Sequence, residues 1–244
     1  MYYLIIWTNF YQNKLSMSDP IHLINGYPFT PYTRETYAPD EMISRSAAFY
    51  DWMNKRRTVR DFSDQPIPIE VIENIIKTAS SAPSGAHKQP WTFCVVSTPE
   101  LKSKIRVAAE KEEKESYGNR MSDEWLNDLK HLQTDWQKPF LEVAPYLIIV
   151  FKKAYDFLPD GSKRTNYYVN ESVGLACGFL LAAIHHAGLV ALTHTPSPMN
   201  FLTSLLNRPE NERPFLLIPV GYPHPETYVP KLERKEIEEI MVKY

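Results

Sequence analysis

The chain has 244 residues, of which 43% are hydrophobic and 23% are charged, and its formal net charge is −2. This length and composition suit one α/β-type domain with a substantial core, and the near-neutral charge argues against nucleic acid or an anionic membrane as a partner. Both cysteines, Cys94 and Cys177, fall in apolar runs, which indicates buried thiols rather than a disulfide or metal ligands and suits a reducing cytoplasm.

The N-terminal residues predict an extended arm. The apolar run that begins at Met1 ends within about ten residues, whereas a membrane-spanning helix needs about 20, and the run lacks the basic start and cleavage site of a signal peptide. Residues 18–39 are rich in Pro and Tyr. We expect residues 1–39 to form the arm and residues 40–244 to form a single domain, with either Met1 or Met17 as the native start.

Apolar periodicity in the rest of the chain predicts helices interleaved with a few strands. The predicted helices are 40–55, one from Pro68 to Ala79, one that follows Thr98-Pro99 and ends in the charged run 110–115, a long one at 166–186, and a short one after Pro230. The predicted strands are 92–97, 145–151, 189–193 and 215–220. In the long helix, Gly174 and Gly178 leave room for another helix to pack closely, and Gly188 ends it.

A loop of small residues between the second helix and the first strand is the best candidate for a binding element. Residues 82–91 read Ala-Pro-Ser-Gly-Ala-His-Lys-Gln-Pro-Trp, so their backbone N–H groups are accessible to a ligand. Gly85 is expected to free the backbone conformation and to permit close approach, and Ala86 is the best-placed donor. The alternative is a plain helix-to-strand turn, which composition alone favours.

Three arginines, Arg56, Arg57 and Arg60, precede this loop. Their planar guanidinium groups could surround a phosphate with bidentate hydrogen bonds; a solvated helix end is the alternative and is preferred for three arginines alone. The sequence contains no dinucleotide-binding glycine motif, no Walker phosphate loop and no credible Ser/His/Asp set. The adjacent His185 and His186 point to different faces of a helix and cannot chelate one metal ion, so no metal site is predicted.

The segments Arg56-Arg57-Thr58-Val59-Arg60 and Pro83-Ser84-Gly85-Ala86-His87-Lys88-Gln89-Pro90-Trp91 resemble the nitroreductase superfamily, whose members bind FMN. The resemblance extends through 145–151, 171–188, Thr193-His194-Thr195-Pro196 and 219–223. Within this superfamily, residues 46–241 are most similar to the iodotyrosine deiodinases, which are reductive halotyrosine dehalogenases. The segment 113–138, in combination with the two motifs above, is specific to these enzymes. The resemblance implies an α+β fold, with helices around a mostly antiparallel sheet, and an intertwined homodimer with two interfacial flavins.

The resemblance also implies roles for individual residues around FMN. The cofactor-binding residues would be Arg56, Arg57, Thr58 and Arg60 at the phosphate and ring edge, Arg234 at the phosphate, Pro83 and Ser84 beside the isoalloxazine, and Thr195, with Thr193 near it, by the reactive ring nitrogen. Thr195 and Ala86 would be the catalytic positions.

A halotyrosine carries an ammonium group, a carboxylate and an acidic phenol, and each needs a different partner. Glu113 and Tyr117 are four residues apart on one helical face, so both can reach one ligand. Glu113 suits the ammonium, Lys138 the carboxylate and Tyr117 either, while the N–H of Ala86 would hold the phenolate oxygen over the flavin. Without the resemblance, Glu113 is better interpreted as a solvated helix charge. The stretch of about 111–138 is expected to be a lid.

These features predict FMN-dependent reductive dehalogenation of halogenated tyrosine, with release of tyrosine and halide. The alternatives are a nitroreductase or quinone reductase, and a non-catalytic flavin-binding sensor of aromatic amino acids. No nicotinamide-binding fingerprint is visible, so the electron donor could be NAD(P)H directly or through a reductase. We expect the chain to lack the membrane anchor of the animal deiodinases. It has Thr58 where they usually carry serine, and it has His194 between its two threonines. We expect a soluble, cytoplasmic enzyme without nucleic-acid or membrane partners.

Overall fold

The computed structural model describes residues 21–32 and 34–244. Both possible start residues, Met1 and Met17, and the first half of the predicted arm lie outside these described residues. The described residues form two compact units, which divide between Tyr50 and Asp51.

The first unit contains a short β-hairpin where the sequence predicts an extended arm. Strands β1 (His22–Ile24) and β2 (Tyr27–Phe29) pair in antiparallel fashion. The turn between them is Asn25-Gly26, and both residues have positive φ, 51° and 82°. An Asn-Gly pair favours this two-residue hairpin turn because Gly adopts positive φ without cost and Asn tolerates it. Helix α1 (Pro39–Asn54) begins in this unit.

The second unit is built on a four-stranded antiparallel sheet. Its helices are α2 (Ile69–Ser80), α3 (Pro99–Glu115), α4 (Asp123–Lys130), α5 (Phe140–Val143), α6 (Val169–His186), α7 (Asn200–Leu205) and α8 (Ile237–Ile240). Its strands are β3 (Trp91–Val96), β4 (Tyr146–Lys153), β5 (Tyr155–Phe157), β6 (Lys163–Thr165), β7 (Val190–Ala191) and β8 (Glu212–Gly221). The sheet order is β3-β4-β8-β7, and β5 and β6 form a separate hairpin.

Helices cover both faces of this sheet, and the central strand β4 is therefore apolar on both sides. Ile148 and Val150 belong to a core that includes α2 and α6. Leu147 and Ile149 point the other way, into a core that includes α3, α5 and α7. Successive strand residues face opposite sides, so the unbroken apolar run of β4 fills both cores. An antiparallel sheet between helices is the α+β arrangement that the sequence predicts.

The elements that the sequence does not predict are short. Helices α4, α5 and α7 have eight residues or fewer, and strands β5 and β6 have three each, which is too few for a clear periodicity. Helix α6 begins at Val169, later than predicted, because Tyr168 takes a left-handed conformation with φ 47°. Among the described residues, no helix is both long and apolar enough to cross a membrane.

Candidate active site

A cluster of arginines lines a pocket of about 320 Å³ in the second unit. The lining residues are Arg56, Arg57, Thr58, Arg60, Leu132, Pro230, Leu232, Glu233 and Arg234. The sheet positions the first part of this lining: Thr58 forms a parallel bridge with Ala191 of β7, and the N–H of Val59 donates to the Ala191 carbonyl over 3.2 Å. All five residues that the sequence predicts at the cofactor phosphate and ring edge therefore surround one cavity, which we call the arginine pocket.

The arginines of this pocket have no acidic partner within salt-bridge distance in the described part of the chain. Arg57 donates to the Pro230 carbonyl, and Arg234 Nη2 donates to the Arg56 carbonyl over 3.3 Å. Burial lowers the pKa of Arg56, and the like charges of Arg234 and Arg57 lower it further. Close cations that form no salt bridge to a carboxylate favour a multiply charged anion.

The loop between α2 and β3 holds an unusual backbone. Ala86, His87 and Gln89 have φ angles of 48°, 53° and 47°, which cost residues other than Gly on the order of 1–3 kcal/mol each. Ser84 stabilises this conformation twice: its hydroxyl accepts from the N–H of Gln89 over 2.9 Å, and its carbonyl accepts from the N–H of His87 over 3.0 Å. Such strain is commonly found where a loop must present itself to a ligand.

Two amides in this loop, those of Ser84 and Ala86, have no acceptor among the described residues. The neighbouring amides that do have acceptors are those of Gly85, His87, Lys88 and Gln89. The N–H of Ala86, the donor that the sequence singles out, has none. It can therefore donate to a ligand without breaking a bond inside the loop.

Gly85 is required by packing, and not by the unusual backbone angle that the sequence suggests. Its φ is outside the positive range in which the three neighbours lie. A Cβ on Gly85 would lie 2.9 Å from the carbonyl oxygen of Tyr167 and 3.0 Å from Cδ2 of Tyr168. Its N–H donates to the Ser172 hydroxyl over 3.2 Å. The missing side chain thus lets the loop lie against the start of α6.

Glu113 of α3 and Lys138 form a buried ion pair. Lys138 Nζ lies 3.6 Å from Glu113 Oε2, and the two residues are 3% and 8% exposed, respectively. Lys138 Nζ also donates to the Asp135 carbonyl and lies 3.4 Å from Thr134 Oγ1. Burial raises the pKa of Glu113 and lowers that of Lys138, and each shift is opposed by the partner's charge. The burial of Glu113 excludes the solvated helix charge that the sequence leaves as an alternative.

Tyr117 completes the group that we call the polar clamp, namely Glu113, Tyr117 and Lys138. It lies in a π-helical turn, Ser116–Arg120, that continues α3, and such turns are frequent at functional sites. Its hydroxyl donates to the Thr134 carbonyl over 3.3 Å, and its ring centre lies 5.4 Å from Lys138 Nζ. Burial raises the pKa of Tyr117 and lowers that of Lys138; the positive charge of Arg60 opposes the first shift and adds to the second. The arginine pocket and the polar clamp therefore lie close to each other.

In the segment after β7, the side chains of two threonines face one side and the side chain of a histidine faces the other. Thr193 and Thr195 are exposed, whereas His194 is buried. His194 exchanges both backbone hydrogen bonds with Leu217 of β8, over 2.9 and 3.0 Å. Its side chain faces the polar clamp, with Nδ1 3.8 Å from Glu113 Oε1. The two hydroxyls therefore share one side of the segment, and the imidazole is on the other.

The predicted site residues thus form separate groups. The arginine pocket and the polar clamp adjoin through Arg60, and the hydroxyls of Thr193 and Thr195 lie on the segment whose other side faces the clamp. Within the described chain, no hydrogen bond or ion pair joins Pro83, Ser84 or Ala86 to any of these groups. The sequence analysis gives His194 no role. The alternation Thr-His-Thr after a strand could have indicated one, because alternating residues of extended backbone face opposite sides and His194 would then point inward.

Comparison with known proteins gives consistent matches. The model of the nitroreductase family matches residues 53–222. The chain is 68% identical over 216 residues to an iodotyrosine deiodinase of Haliscomenobacter hydrossis, covering 88% of this chain and 97% of that protein. It is 50% identical over 222 residues to one from Nematostella vectensis, covering 90% and 83%. A crystal structure of oxidized iodotyrosine deiodinase bound to FMN and 3-iodo-L-tyrosine superimposes with a TM-score of 0.69 at 37% identity, over 80% of this chain and 98% of that one.

Proposed function

Because the chain belongs to the nitroreductase family, and within it to the iodotyrosine deiodinases, we propose that it is an FMN-dependent oxidoreductase that dehalogenates halogenated tyrosine. The predicted family and α+β fold are confirmed by the family model and by the superposition. The observation that carries the proposed function is the buried pair of Glu113 and Lys138. It offers one negative and one positive group to a zwitterion, which a nitroreductase or quinone reductase does not need.

The arginine pocket fits the phosphate of FMN. Its guanidinium groups lie around one cavity without a salt-bridged carboxylate, so a phosphate dianion meets donors that are not already neutralised. Arg56, Arg57, Arg60 and Arg234 would hold the phosphate end, with Thr58 beside them. FMN, when bound, supplies the two electrons that replace a carbon–halogen bond by a carbon–hydrogen bond, with uptake of one proton and release of halide.

The polar clamp fits the amino-acid end of the substrate. Glu113 would accept from the ammonium, and Lys138 would bind the carboxylate. The Tyr117 hydroxyl would either donate to the carboxylate or accept from the ammonium. Each buried charge gains a new partner, so the zwitterion can replace the internal ion pair without leaving an unpaired charge, which would be costly in this buried site.

The phenol end would be held by the free amide of Ala86. A backbone N–H donates more strongly to an oxyanion than to a neutral hydroxyl, so the loop selects the phenolate and favours protonation of the ring carbon that bears the halogen. On the cofactor side, the hydroxyls of Thr193 and Thr195 are exposed on the same face and would donate to the flavin edge. Residues 111–138 would form the lid that excludes water.

We further propose that the enzyme is a homodimer. Within the described residues of one chain, no hydrogen bond or ion pair joins the loop of Ala86 to the other site groups, so a second copy can supply it. Helix α6 supports this arrangement because its outer face is apolar: Leu175 and Phe179 are 48% and 40% exposed, and a Cβ on Gly174 or Gly178 would meet nothing within 4 Å. A helix that is apolar all round is usually buried. Sedimentation of the FMN-loaded protein tests this proposal.

A reducing, cytoplasmic location is proposed from the thiols, because Cys94 and Cys177 are both free and disulfides are rare in such compartments. We propose that NAD(P)H supplies the electrons, either directly or through a reductase.

The central test mixes the anaerobically reduced, FMN-loaded protein with 3-iodotyrosine and follows flavin absorbance and iodide together. Rapid reoxidation with one iodide released per flavin supports the dehalogenase. Reoxidation by nitroaromatics or quinones alone supports the reductase alternative, and binding without reoxidation supports a sensor. Unsubstituted tyrosine is the matched control, since it has the same zwitterion and no halogen.

A further inference from the structure

We propose that His194 is a positioning residue for Glu113: its Nδ1–H holds the Glu113 carboxylate in place when Lys138 turns to the carboxylate of the substrate. The inference rests on the proposed function, because it concerns how the polar clamp exchanges its internal ion pair for a zwitterion. It concerns a side chain to which the family resemblance gives no role.

The two oxygens of Glu113 face two different groups. Oε2 lies 3.6 Å from Lys138 Nζ, and Oε1 lies 3.8 Å from His194 Nδ1. Both separations exceed a normal hydrogen bond, so the carboxylate lies between the lysine and the imidazole. If Lys138 moves to a substrate carboxylate, His194 remains beside Glu113. A small rotation of Glu113 then closes the contact to hydrogen-bond length.

The chemistry of the pair determines which nitrogen carries the proton. An ionised carboxylate only accepts hydrogen bonds, and a neutral imidazole has one donor and one acceptor. Since Nδ1 faces Glu113, Nδ1 is the donor and Nε2 is the acceptor. Burial, with the positive charges of Lys138 and Arg60 nearby, lowers the pKa of His194 to about 3, so the imidazole is neutral at physiological pH. It can therefore orient Glu113 without competing as a second cation for the ammonium site.

A purely structural role does not account for an imidazole at this position. Its Nε2 is buried and has no hydrogen-bond partner among the described residues, and an unsatisfied buried polar atom costs about 1–3 kcal/mol. On another side, the ring packs edge-on against Phe140, with centroids 5.6 Å apart. A leucine would fill this space without that cost. Glu113 is the contact for which a hydrogen-bond donor is useful.

Because of where His194 lies, substitution of its side chain should affect substrate recognition and not the chemistry at the flavin. Its backbone is fixed to Leu217 by two hydrogen bonds, and its side chain is on the side opposite the hydroxyls of Thr193 and Thr195. A change of the side chain should therefore alter recognition of the ammonium group, and not the position of the hydroxyls. We expect the selectivity for amino acids over simple halophenols to depend on His194.

The test compares the FMN-loaded wild type with His194→Leu and His194→Asn, using 3-iodotyrosine and 2-iodophenol as ligands in flavin-fluorescence titrations. The ratio of Kd for 3-iodotyrosine to Kd for 2-iodophenol should rise about tenfold in His194→Leu, the value of one hydrogen bond to a charged group. His194→Asn keeps a donor near the position of Nδ1 and should recover most of the loss. Thermal unfolding of each variant checks that the fold is retained.

The second arm repeats the comparison in Glu113→Gln. If His194 acts through Glu113, His194→Leu should have little further effect on the ratio in that background. An effect that is equal in both backgrounds, or that is also equal for the two ligands, would overturn the role of His194 while leaving the clamp intact. If Glu113→Gln alone leaves the Kd for 3-iodotyrosine unchanged, the clamp itself is wrong, and the proposed function loses its main support.

Discussion

The buried imidazole of His194 predicts a specific loss of stability in mild acid. In the folded protein its pKa is lowered from 6.5 to about 3, first by burial and then by the charges of Lys138 and Arg60. Between these values the unfolded chain binds the proton and the folded chain does not, so acid favours unfolding. The stabilisation is therefore complete above pH 6.5 and is lost as the pH falls towards 3.

The magnitude follows from proton linkage. One group that takes up its proton only on unfolding changes the free energy of unfolding by about 1.4 kcal/mol per pH unit. From pH 6.5 to pH 5, 1.5 units give about 2 kcal/mol. Glu113 has the opposite sign, since its raised pKa means that its contribution to stability falls as the pH rises, so only a comparison of variants isolates His194.

The assay is urea unfolding at pH 7 and pH 5, at fixed concentrations of protein and FMN. The wild type should lose about 2 kcal/mol more than His194→Leu between the two values. His22→Gln, at an exposed position, controls for the removal of one histidine. Equal losses in the wild type and in His194→Leu would refute the reasoning, because they would mean that the imidazole takes up its proton without unfolding.

Four further predictions concern the arginine pocket, the small-residue loop and the lid. Arg57→Ala should weaken FMN binding by about 1.5–3 kcal/mol and leave riboflavin binding nearly unchanged, as measured by calorimetry; equal losses for both would exclude a phosphate contact. Gly85→Ala should lower the free energy of unfolding by about 1–3 kcal/mol, because its Cβ would lie 2.9 Å from the Tyr167 carbonyl oxygen, whereas Gly118→Ala, with nothing within 4 Å, should have a smaller effect. If the N–H of Ala86 selects a phenolate, the pH midpoint of substrate affinity should move with the halogen across iodo-, bromo- and chlorotyrosine; a fixed midpoint would indicate a titrating protein group instead. Hydrogen exchange should slow across 111–138 when 3-iodotyrosine binds, and unchanged exchange would contradict the lid.

Much of the fold is predictable from local patterns. The apolar spacing between Pro68 and Ala79 predicts α2, and the continuous apolar run at 145–151 predicts most of the central strand β4. The family and its α+β class could also be predicted, because the arginine segment and the small-residue loop are each one continuous stretch of sequence. Their motifs need no knowledge of distant contacts.

The parts of the site that depend on contacts between residues far apart in the sequence could not be predicted without the structure. His194 and Glu113 are far apart in the sequence, and only the pairing of the segment after β7 with β8 brings the imidazole to α3. The burial of Glu113 could not be predicted either, because the charged run 110–115 is typical of a solvated helix face. Gly85 shows a third reason: a glycine that permits an unusual φ and a glycine that permits close packing look the same in a sequence.

The alternation of Thr193, His194 and Thr195 also matters for redesign. Because consecutive side chains there face different neighbours, the exposed hydroxyls and the buried position can be varied independently of each other. A library confined to position 194, together with Glu113 and Tyr117, would diversify recognition of the amino-acid end without altering the hydroxyl side. We expect such a library to yield catalysts for halogenated phenols that carry no amino-acid group.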